Sequence, residues 1–374
     1  MIHIGSITTK AGLKAFIDFP HDLYADDPNY VPELFIAQRD LLTPGKHPFH
    51  EHSEIQLFLA YDDNQKIVGR IAAILNRNHN QFNHLQDGFF GFFDCIENAE
   101  VSDMLFAKAG EWLKSKGATT IIGPANFSTN ETCGLLVDGY DTPPLAMMTY
   151  NKAYYEPLIT RRGFSKKVDL IAYRFGDAGY DDRSVQLKDV LLRRLEQKGI
   201  HIRPINVKKF DEEVAAIHKV YNAAWDQNLG FVPMTKKEFE YLAKDLKLLL
   251  DTEFCLVAEK DGVIAGFALA IPDINQVLRT VKRGRLFPFG IFKLLFGIKR
   301  ITGLRVIALG VVDGYRKMGI EAVFYARIIE AYRRKKYQYA EASWILEDND
   351  MMNRALQNIK GAPYKRYRIF EKAL

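Results

Sequence analysis

Two parts of the sequence repeat one pattern of apolar runs and turn residues. VGRIAAIL at 68–75 corresponds to AGFALAIP at 265–272, and YNKAYYEPLITRRGF at 150–164 corresponds to DNDMMNRALQNIKGA at 348–362. Gly69 pairs with Gly266 and Gly163 with Gly361, at offsets that agree to within one residue. In a chain of 374 residues this predicts two domains of similar fold, with two unrelated α/β halves as the alternative.

Each half has the same predicted order of secondary structure. Two helices precede a pair of strands joined by a polar turn, and a strand, a helix, a strand, a helix and a final strand follow. We therefore expect an α/β protein with two domains that share one order of helices and strands. The domains are placed at 1–176 and 201–374, with a linker and helix at 177–200 that begins in GDAGYDDRS.

Composition excludes several classes of protein. A net charge of +5 does not indicate a nucleic-acid binder, and three widely spaced cysteines indicate neither a disulfide framework nor a zinc site. The first residues lack the pattern of a signal peptide, and no apolar run is long enough to span a membrane. The expected location is the cytoplasm. We interpret the histidines of GKHPFHEH at 45–52 as a solvated loop, not a metal site.

The stretch VVDGYRKMGIEA at 311–322 is predicted to end a strand, turn, and begin a helix. The first amides of a helix have no partner within it, and with the helix dipole they attract anions. Glycine lets the backbone approach a phosphate, and an arginine adds positive charge. The predicted anion-binding residues are Arg316, Lys317, Met318, Gly319 and Ile320. The alternative is an ordinary strand–helix turn, and Glu321 either points outward or weakens the site by repulsion.

The element order and this loop resemble the GNAT superfamily of acyl-CoA N-acyltransferases, which carries Q/R-x-x-G-x-G/A here. Arg316 and Gly319 match, whereas Glu321 replaces the expected small residue. The resemblance covers the second half from about residue 201 to the end, and the first half resembles the same fold. It implies that each domain has a central, mostly antiparallel mixed sheet flanked by helices, and that loop amides hold the pyrophosphate of coenzyme A. It also implies cofactor contacts from the preceding strand and from the family's later asparagine, here Leu309, Val311, Val312 and Asn349.

The whole chain is also similar to an uncharacterised group of bacterial proteins with two GNAT domains. The segments that carry this similarity are IIGPANFSTNETCGLLVDGYDTPP, YNAAWDQNLGFVPMT and ASWILEDNDMMN. In the first half, CIENAEVSD at 95–103 stands where the phosphate loop belongs and contains no Arg-x-x-Gly. We therefore expect the first domain to be a degenerate copy and the second to bind acyl-CoA.

The family's usual acid, a tyrosine before the later glycine, is absent from both halves. Gln357 and Ile159 occupy the two positions. Tyr325 is the candidate acid, with Tyr364 or Tyr367 as alternatives, although core or surface packing is the favoured interpretation of these tyrosines.

Two polar segments are candidates for the acceptor site. NFSTNETCGLLVDGYDTPP at 126–144 is long and constrained, as binding loops often are. Within it, Asn126, Ser128 and Asn130 are predicted to contact the acceptor and Glu131 to act as a general base. The alternative is an Ω-like loop that satisfies its own backbone.

WDQNLGFVPMT at 225–235 joins the two helices of the second half. In the resembled fold this connection covers the acceptor, so Trp225, Asn228 and Phe231 are predicted to line the cleft. Core packing is the alternative for the two aromatic side chains.

A basic and apolar insertion separates two strands of the second half. Residues 274–312 hold eight Lys or Arg and no Asp or Glu, and RTVKRGRLFPFGIFKLLFGIKR at 279–300 mixes these charges with large apolar residues. The favoured interpretation is a packed insertion. A lid over a cofactor or acyl chain and a contact with an acidic membrane surface are the alternatives.

The resemblance implies transfer of an acetyl or longer acyl group from acyl-CoA to an unidentified amine, by direct attack and without a metal. Two other functions stay open. One is a non-catalytic protein that binds a ligand or partner in the same cleft. The other is a transferase that handles lipids, with a long acyl chain held under the insertion.

Overall fold

The computed structural model describes residues 1–176, 183–225 and 231–374. The strands are β1 (His3–Ser6), β2 (Ser53–Tyr61), β3 (Ile67–Asn76), β4 (Asp87–Cys95), β5 (Thr120–Gly123), β6 (Leu135–Asp138), β7 (Ser165–Phe175), β8 (Ile200–Pro204), β9 (Cys255–Lys260), β10 (Val263–Pro272), β11 (Gly303–Val311), β12 (Tyr339–Leu346) and β13 (Ala362–Ala373). The helices are α1 (Lys10–Leu23), α2 (Phe35–Leu42), α3 (Arg77–Asn83), α4 (Ala99–Ser115), α5 (Tyr155–Thr160), α6 (Arg183–Gln197), α7 (Phe210–Ala224), α8 (Lys236–Leu246), α9 (Asn275–Leu278), α10 (Gly290–Gly297), α11 (Ile320–Arg334) and α12 (Asp350–Asn358).

The chain forms two compact units. The first contains Met1–Leu170, Asn275–Lys299 and Lys365–Leu374, and the second contains Ile171–Ile274 and Arg300–Tyr364. The predicted domains are continuous in sequence, whereas these units are not. The difference has a physical cause, because the last strand, β13, pairs with β5 and β6 of the first unit through its residues 366–373.

The sheet of the first unit has the order β1-β2-β3-β4-β5-β13-β7. Its first four strands are antiparallel neighbours, and β4 and β5 are parallel. Helix α4 buries Val101, Leu105 and Ala109 on one face against the sheet. This spacing of four residues is the apolar stripe expected of a helix that covers a sheet.

The sheet of the second unit has the order β7-β12-β11-β10-β9-β8. Successive residues of β9 alternate between two cores, because Leu256 packs in the core that contains α6 and α11, and Val257 packs in the core that contains α7. This period of two is that of a strand covered on both faces. It explains why the central strands of this unit are apolar along most of their length.

The predicted α/β fold with two tandem GNAT-like domains is confirmed. The short strands β1, β6 and β8 and the helices α3, α9 and α10 were not predicted, because each is too brief for its periodicity to show. Most of GDAGYDDRS and residues 226–230 of WDQNLGFVPMT lie outside the described residues. Among the helices of the described residues, none combines the length and apolar character needed to cross a bilayer.

Candidate functional site

Two parallel strands of the second unit separate at their carboxyl ends. β11 and β12 pair from Gly303 with Tyr339 to Val306 with Ala342, and both strands then continue for several residues. In the described ladder no pair follows these, and a register shift in the pairing of β11 with β10 falls at Ile307. A crevice at the carboxyl ends of parallel strands is where ligands bind in open α/β sheets.

The backbone of β11 presents alternate amides to this crevice. The amide of Val312 donates to the carbonyl of Ala265, 2.9 Å away, and is therefore committed to β10. Because successive amides of a strand point to opposite sides, those of Val311 and Leu309 point toward β12. Of the three predicted strand contacts, Leu309 and Val311 have amides directed to the opening, and Val312 does not.

The loop after β11 leaves the front of α11 without caps. Gly319 has a φ of +96° and provides no side chain to accept a hydrogen bond. Among the described residues, none accepts a hydrogen bond from the amides of 319–322. Four successive donors at the positive end of a helix form a site for a phosphate group.

The first unit shows the opposite arrangement at the corresponding helix. Asn98 caps α4, and its side-chain oxygen accepts from the amides of Glu100 and Val101 at 2.8 and 3.3 Å. The amide of Cys95, at the position that corresponds to Val311, is also occupied, because it donates to the hydroxyl of Tyr155 at 3.1 Å. These contacts occupy the groups that are open in the second unit, which supports the interpretation of the first domain as a degenerate copy.

The Arg316 side chain is hydrogen-bonded to the backbone around the loop that follows β11. Its guanidinium donates to the carbonyls of Val311 and Ala224 at 3.1 and 3.2 Å and pairs with Asp313 at 3.0 Å. The loop amides are left unblocked by this side chain. Burial and the charge of Glu321 raise the pKa of Tyr325, which lies one turn further along the same helix. The Glu321 carboxylate therefore lies on the face of α11 that carries this tyrosine.

Tyr325 links the beginnings of α11 and α12. Its hydroxyl donates to Sδ of Met352 at 3.2 Å, and burial, with the charge of Glu321, raises the pKa of Tyr325 above its ordinary range. The group therefore keeps its proton at neutral pH. The predicted cofactor contact Asn349 is the cap of α12, because its side-chain oxygen accepts from the amide of Met352 at 3.1 Å.

Aromatic residues cover one side of β11. A Cβ on Gly310 would lie 2.5 Å from the indole of Trp225, so this ring packs directly on the strand. The ring centroids of Tyr221 and Trp225 are 4.9 Å apart. Phe231 is buried, and its ring centroid is 6.2 Å from that of Tyr221. Trp225 thus combines core packing with a place on the strand that borders the crevice. Asn228 lies outside the described residues.

A buried polar network at the closed end of the crevice was not predicted. The Arg305 side chain donates from Nε to the hydroxyl of Ser343 at 2.9 Å, and Glu341 accepts from both Ser343 and Tyr364. Arg305 and Glu341 are paired across β11 and β12 at the last stretch where the strands are joined. The sequence feature that could have indicated this network is the single charged residue in each of β11 and β12, Arg305 and Glu341. The network holds the point from which the strands separate.

The other polar candidates belong to the first unit and satisfy its backbone. Asn126 accepts from the amide of Phe92 at 2.8 Å and donates to the hydroxyl of Thr132 at 2.8 Å. Ser128 accepts from the amide of Asn130 at 3.1 Å, and the amide of Glu131 donates to the carbonyl of Ser128. These contacts are those of the Ω-like alternative, and a role in acceptor binding or base catalysis stays a prediction.

The histidines of GKHPFHEH pack within the first unit, so the interpretation as a solvated loop is wrong. His47 is buried, and His50 and His52 are partly buried. His50 lies 2.9 Å from the carbonyl of Leu41, and His52 lies 2.7 Å from the hydroxyl of Ser53. In the part of the chain that the structure describes, no group of three or more His, Cys, Asp or Glu is arranged to hold a metal ion.

The architecture of both units is that of the GNAT acyltransferase fold. The tandem GNAT protein from the clavulanic acid biosynthesis pathway superposes with a TM-score of 0.58, over 100% of this chain and 98% of that one, at 10% identity. A GCN5-related N-acetyltransferase from Sphaerobacter thermophilus gives a TM-score of 0.53 over 99% and 95%, at 12% identity. These similarities establish the fold, and the predicted GNAT resemblance is confirmed.

Two curated proteins are similar to this chain along nearly its whole length. Protein YghO of Escherichia coli (strain K12) is 38% identical over 99% of this chain and 95% of its own length. The bacterial ceramide synthase of Caulobacter vibrioides (strain NA1000 / CB15N) is 35% identical over 98% and 96%. No family model matches the sequence. The chain belongs to the bacterial family of GNAT-fold proteins that contains these two relatives.

Proposed function

We propose that the protein is an acyl-CoA-dependent N-acyltransferase whose second unit binds the acyl donor. The observation that carries the proposal is the crevice between β11 and β12 together with the uncapped amides of 319–322, in the loop and helix that follow β11 in the chain. The crevice suits an extended acyl-thioester arm, and the amides suit a pyrophosphate. Acyl-CoA contains both groups in one molecule.

The residues of the crevice meet the needs of amine acylation. The amides of 319–322 would hold the pyrophosphate, and an amide of Leu309 or Val311 would donate to the thioester carbonyl oxygen and stabilise its developing negative charge. The amine nitrogen forms the new C–N bond as the C–S bond breaks, the proton that the amine loses passes to solvent, and the leaving thiolate takes up a proton, so that the products are an amide and free coenzyme A. The Tyr325 hydroxyl, protonated at neutral pH, would supply a proton to the leaving thiolate.

The relative from Caulobacter suggests the class of acceptor. A ceramide is the amide of a fatty acid with a long-chain amino alcohol, so a protein named ceramide synthase joins an acyl group to such an amine. We propose a long-chain amino alcohol, or a close derivative with a free amine, as acceptor here and a long-chain acyl-CoA as donor. This choice combines the predicted N-acyl transfer with the predicted alternative of a lipid-handling transferase.

Donor binding is tested by thermal melts with coenzyme A, acetyl-CoA and a long-chain acyl-CoA. A ligand present at about 100 times its Kd stabilises the folded state by about 2.7 kcal/mol. All three should raise the melting temperature because they share the pyrophosphate, and the long-chain thioester should raise it most because it buries the most apolar surface. No change with any of the three would contradict the proposal.

The acceptor is tested in a transfer assay that follows free thiol release and identifies the amide by mass spectrometry. We expect product with a long-chain acyl-CoA and a long-chain amino alcohol, and at least about tenfold less with a short-chain amino alcohol that loses this apolar contact. Donor binding without product from any amine would leave the binding site standing and reject the transferase function. Equal rates with both acceptors would reject the lipid acceptor alone.

Replacing Tyr325 with phenylalanine tests the proposed acid. Thiolates are good leaving groups, with a thiol pKa of about 8.5, so the acid should contribute at the low end of general acid catalysis. We expect kcat to fall about tenfold to a hundredfold, with the melting temperature and the donor KM nearly unchanged. Because tyrosine and phenylalanine differ only in the hydroxyl, an unchanged kcat would exclude Tyr325 as the acid.

A further inference from the structure

The insertion at Asn275–Lys299, which belongs to the first unit, exposes a cluster of large apolar side chains. Five of them lie within ten residues, in and just before α10. Their exposed fractions are 76% for Phe287, 73% for Phe289, 55% for Phe292, 57% for Leu295 and 70% for Phe296. An exposed cluster of this kind on a folded protein marks a surface that another body covers.

The base of the insertion is firmly attached within the first unit. Arg283 pairs with Asp22 at 2.5 Å, and Arg285 pairs with Asp18 at 2.7 Å. The side-chain amide of Asn275 donates to the carbonyl of Pro144 at 2.9 Å. These contacts attach the base of the insertion to the rest of the first unit. The apolar cluster is therefore exposed on a segment that is anchored to the folded unit.

The buried side chains of the insertion separate its two faces. Val277, Leu278 and Val281 are buried, whereas the aromatic residues around α10 are exposed. The packed insertion predicted from the sequence therefore describes only its base. The apolar side chains of the exposed part are not covered by any of the described residues of the first unit.

Positive charge surrounds the apolar cluster. Arg279, Lys282, Lys293 and Lys299 are exposed, and residues 274–312 include no acidic residue. Arg283 and Arg285 are paired with aspartates at the base. The exposed charges outside these pairs are Arg279 and Lys282 before the apolar cluster, Lys293 within it and Lys299 just after it in sequence. Apolar side chains bordered by uncompensated lysines are complementary to a surface with an apolar interior and negative head groups.

We propose that the insertion at Asn275–Lys299 is a docking surface for membranes rich in anionic phospholipids. Helix α10 has eight residues and is about 12 Å long, which suits a helix lying in the interface and not across the bilayer. The phenylalanines enter the region between head groups and acyl chains, and the lysines contact phosphate groups. The proposal is independent of acyl transfer, although a membrane is where a long-chain acceptor would be found.

Vesicle flotation with the full-length protein tests the surface. The vesicles contain either phosphatidylcholine alone or phosphatidylcholine mixed with phosphatidylglycerol. We expect the protein to float with the mixed vesicles and much less with the neutral ones. Raising the salt from about 0.1 to 1 M shortens the Debye length from about 10 to 3 Å and should weaken the binding.

Two variants separate the apolar and the charged contributions. Phe289→Ser with Phe296→Ser should weaken binding to mixed vesicles more than about tenfold, because two aromatic side chains no longer enter the bilayer. Lys282→Ala with Lys299→Ala should weaken it about tenfold on the mixed vesicles only. All of these side chains are exposed, so melting temperatures should be unchanged.

The matched control replaces apolar residues of the same unit outside the insertion. Phe82 and Leu85 are 44% and 48% exposed, and Phe82→Ser with Leu85→Ser should float like the wild type. Equal flotation of the Phe289/Phe296 variant and the wild type would overturn the proposal, as would no flotation of the wild type. Loss of self-association in the Phe289/Phe296 variant, without vesicle binding by the wild type, would also overturn it and assign the patch to a second copy of the chain.

Discussion

Replacing Gly319 with valine is expected to abolish the increase in melting temperature that acyl-CoA produces. Gly319 has a φ of +96°, and a Cβ at this position would lie 3.0 Å from Cδ2 of Leu191. A β-branched residue cannot adopt this conformation without strain, and its side chain would displace the uncapped amides at the front of α11. Thermal melts with a long-chain acyl-CoA measure the loss, which should exceed about a hundredfold in Kd, equivalent to about 2.7 kcal/mol.

The matched control for this substitution is Gly262→Val. Gly262 has a φ of +78° in the turn between β9 and β10, and a Cβ there would have no heavy atom within 4 Å. The control imposes a similar backbone strain on the same unit without touching the phosphate loop. It should lower the melting temperature of the free protein and keep the increase produced by acyl-CoA. An undiminished increase in the Gly319 variant would mean that the donor binds elsewhere.

Replacing Asp94 with alanine is expected to be the most destabilising single change in the first unit. Asp94 is buried, pairs with Arg70 at 2.7 Å and accepts from the hydroxyls of Tyr24 and Tyr155 at 3.1 and 3.2 Å. Removing it leaves the buried Arg70 charge without its partner, which costs about 3–5 kcal/mol. Urea denaturation measures the change as a shift in the midpoint, and part of the unfolding transition should move separately if the two units unfold independently.

Glu111→Ala is the comparison for the Asp94 variant, because it removes one partner of an exposed ion pair. Lys108 and Glu111 lie 3.1 Å apart on the surface of α4, with side chains that are 46% and 67% exposed. Such pairs contribute up to about 1 kcal/mol. Equal effects of the two substitutions would show that Arg70 finds another partner or water when Asp94 is absent.

The sequence alone was enough to place the candidate donor site along the chain. VVDGYRKMGIEA predicts a strand that ends near 312 and a helix that begins near 320, and the structure has β11 end at Val311 and α11 begin at Ile320. These features were predictable because they are local: an apolar strand, an Asp-Gly turn and a glycine before a helix are determined by neighbouring residues. The side-chain capping of α4 by Asn98 belongs to the same kind of local information.

Contacts between residues far apart in the sequence were not predictable in this way. The segment at 126–144 has the composition of a binding loop, yet Asn126 uses its side chain to satisfy the amide of Phe92. The network of Arg305, Glu341 and Ser343 arises only when β11 and β12 lie side by side. Composition gives the donors and acceptors that a segment contains, and packing determines which of them are already used.

The sequence by itself determined the duplicated order of helices and strands and the position of the strand–loop–helix junction, because periodicity and turn residues act over short distances. Only the tertiary structure decided that the last strand completes the sheet of the first unit, that β11 and β12 separate beyond Val306, and that the phenylalanines of the insertion stay exposed. Each of these depends on which surfaces meet after folding. Burial and strand pairing between distant residues are set by the free energy of the whole packed chain, which no local pattern encodes.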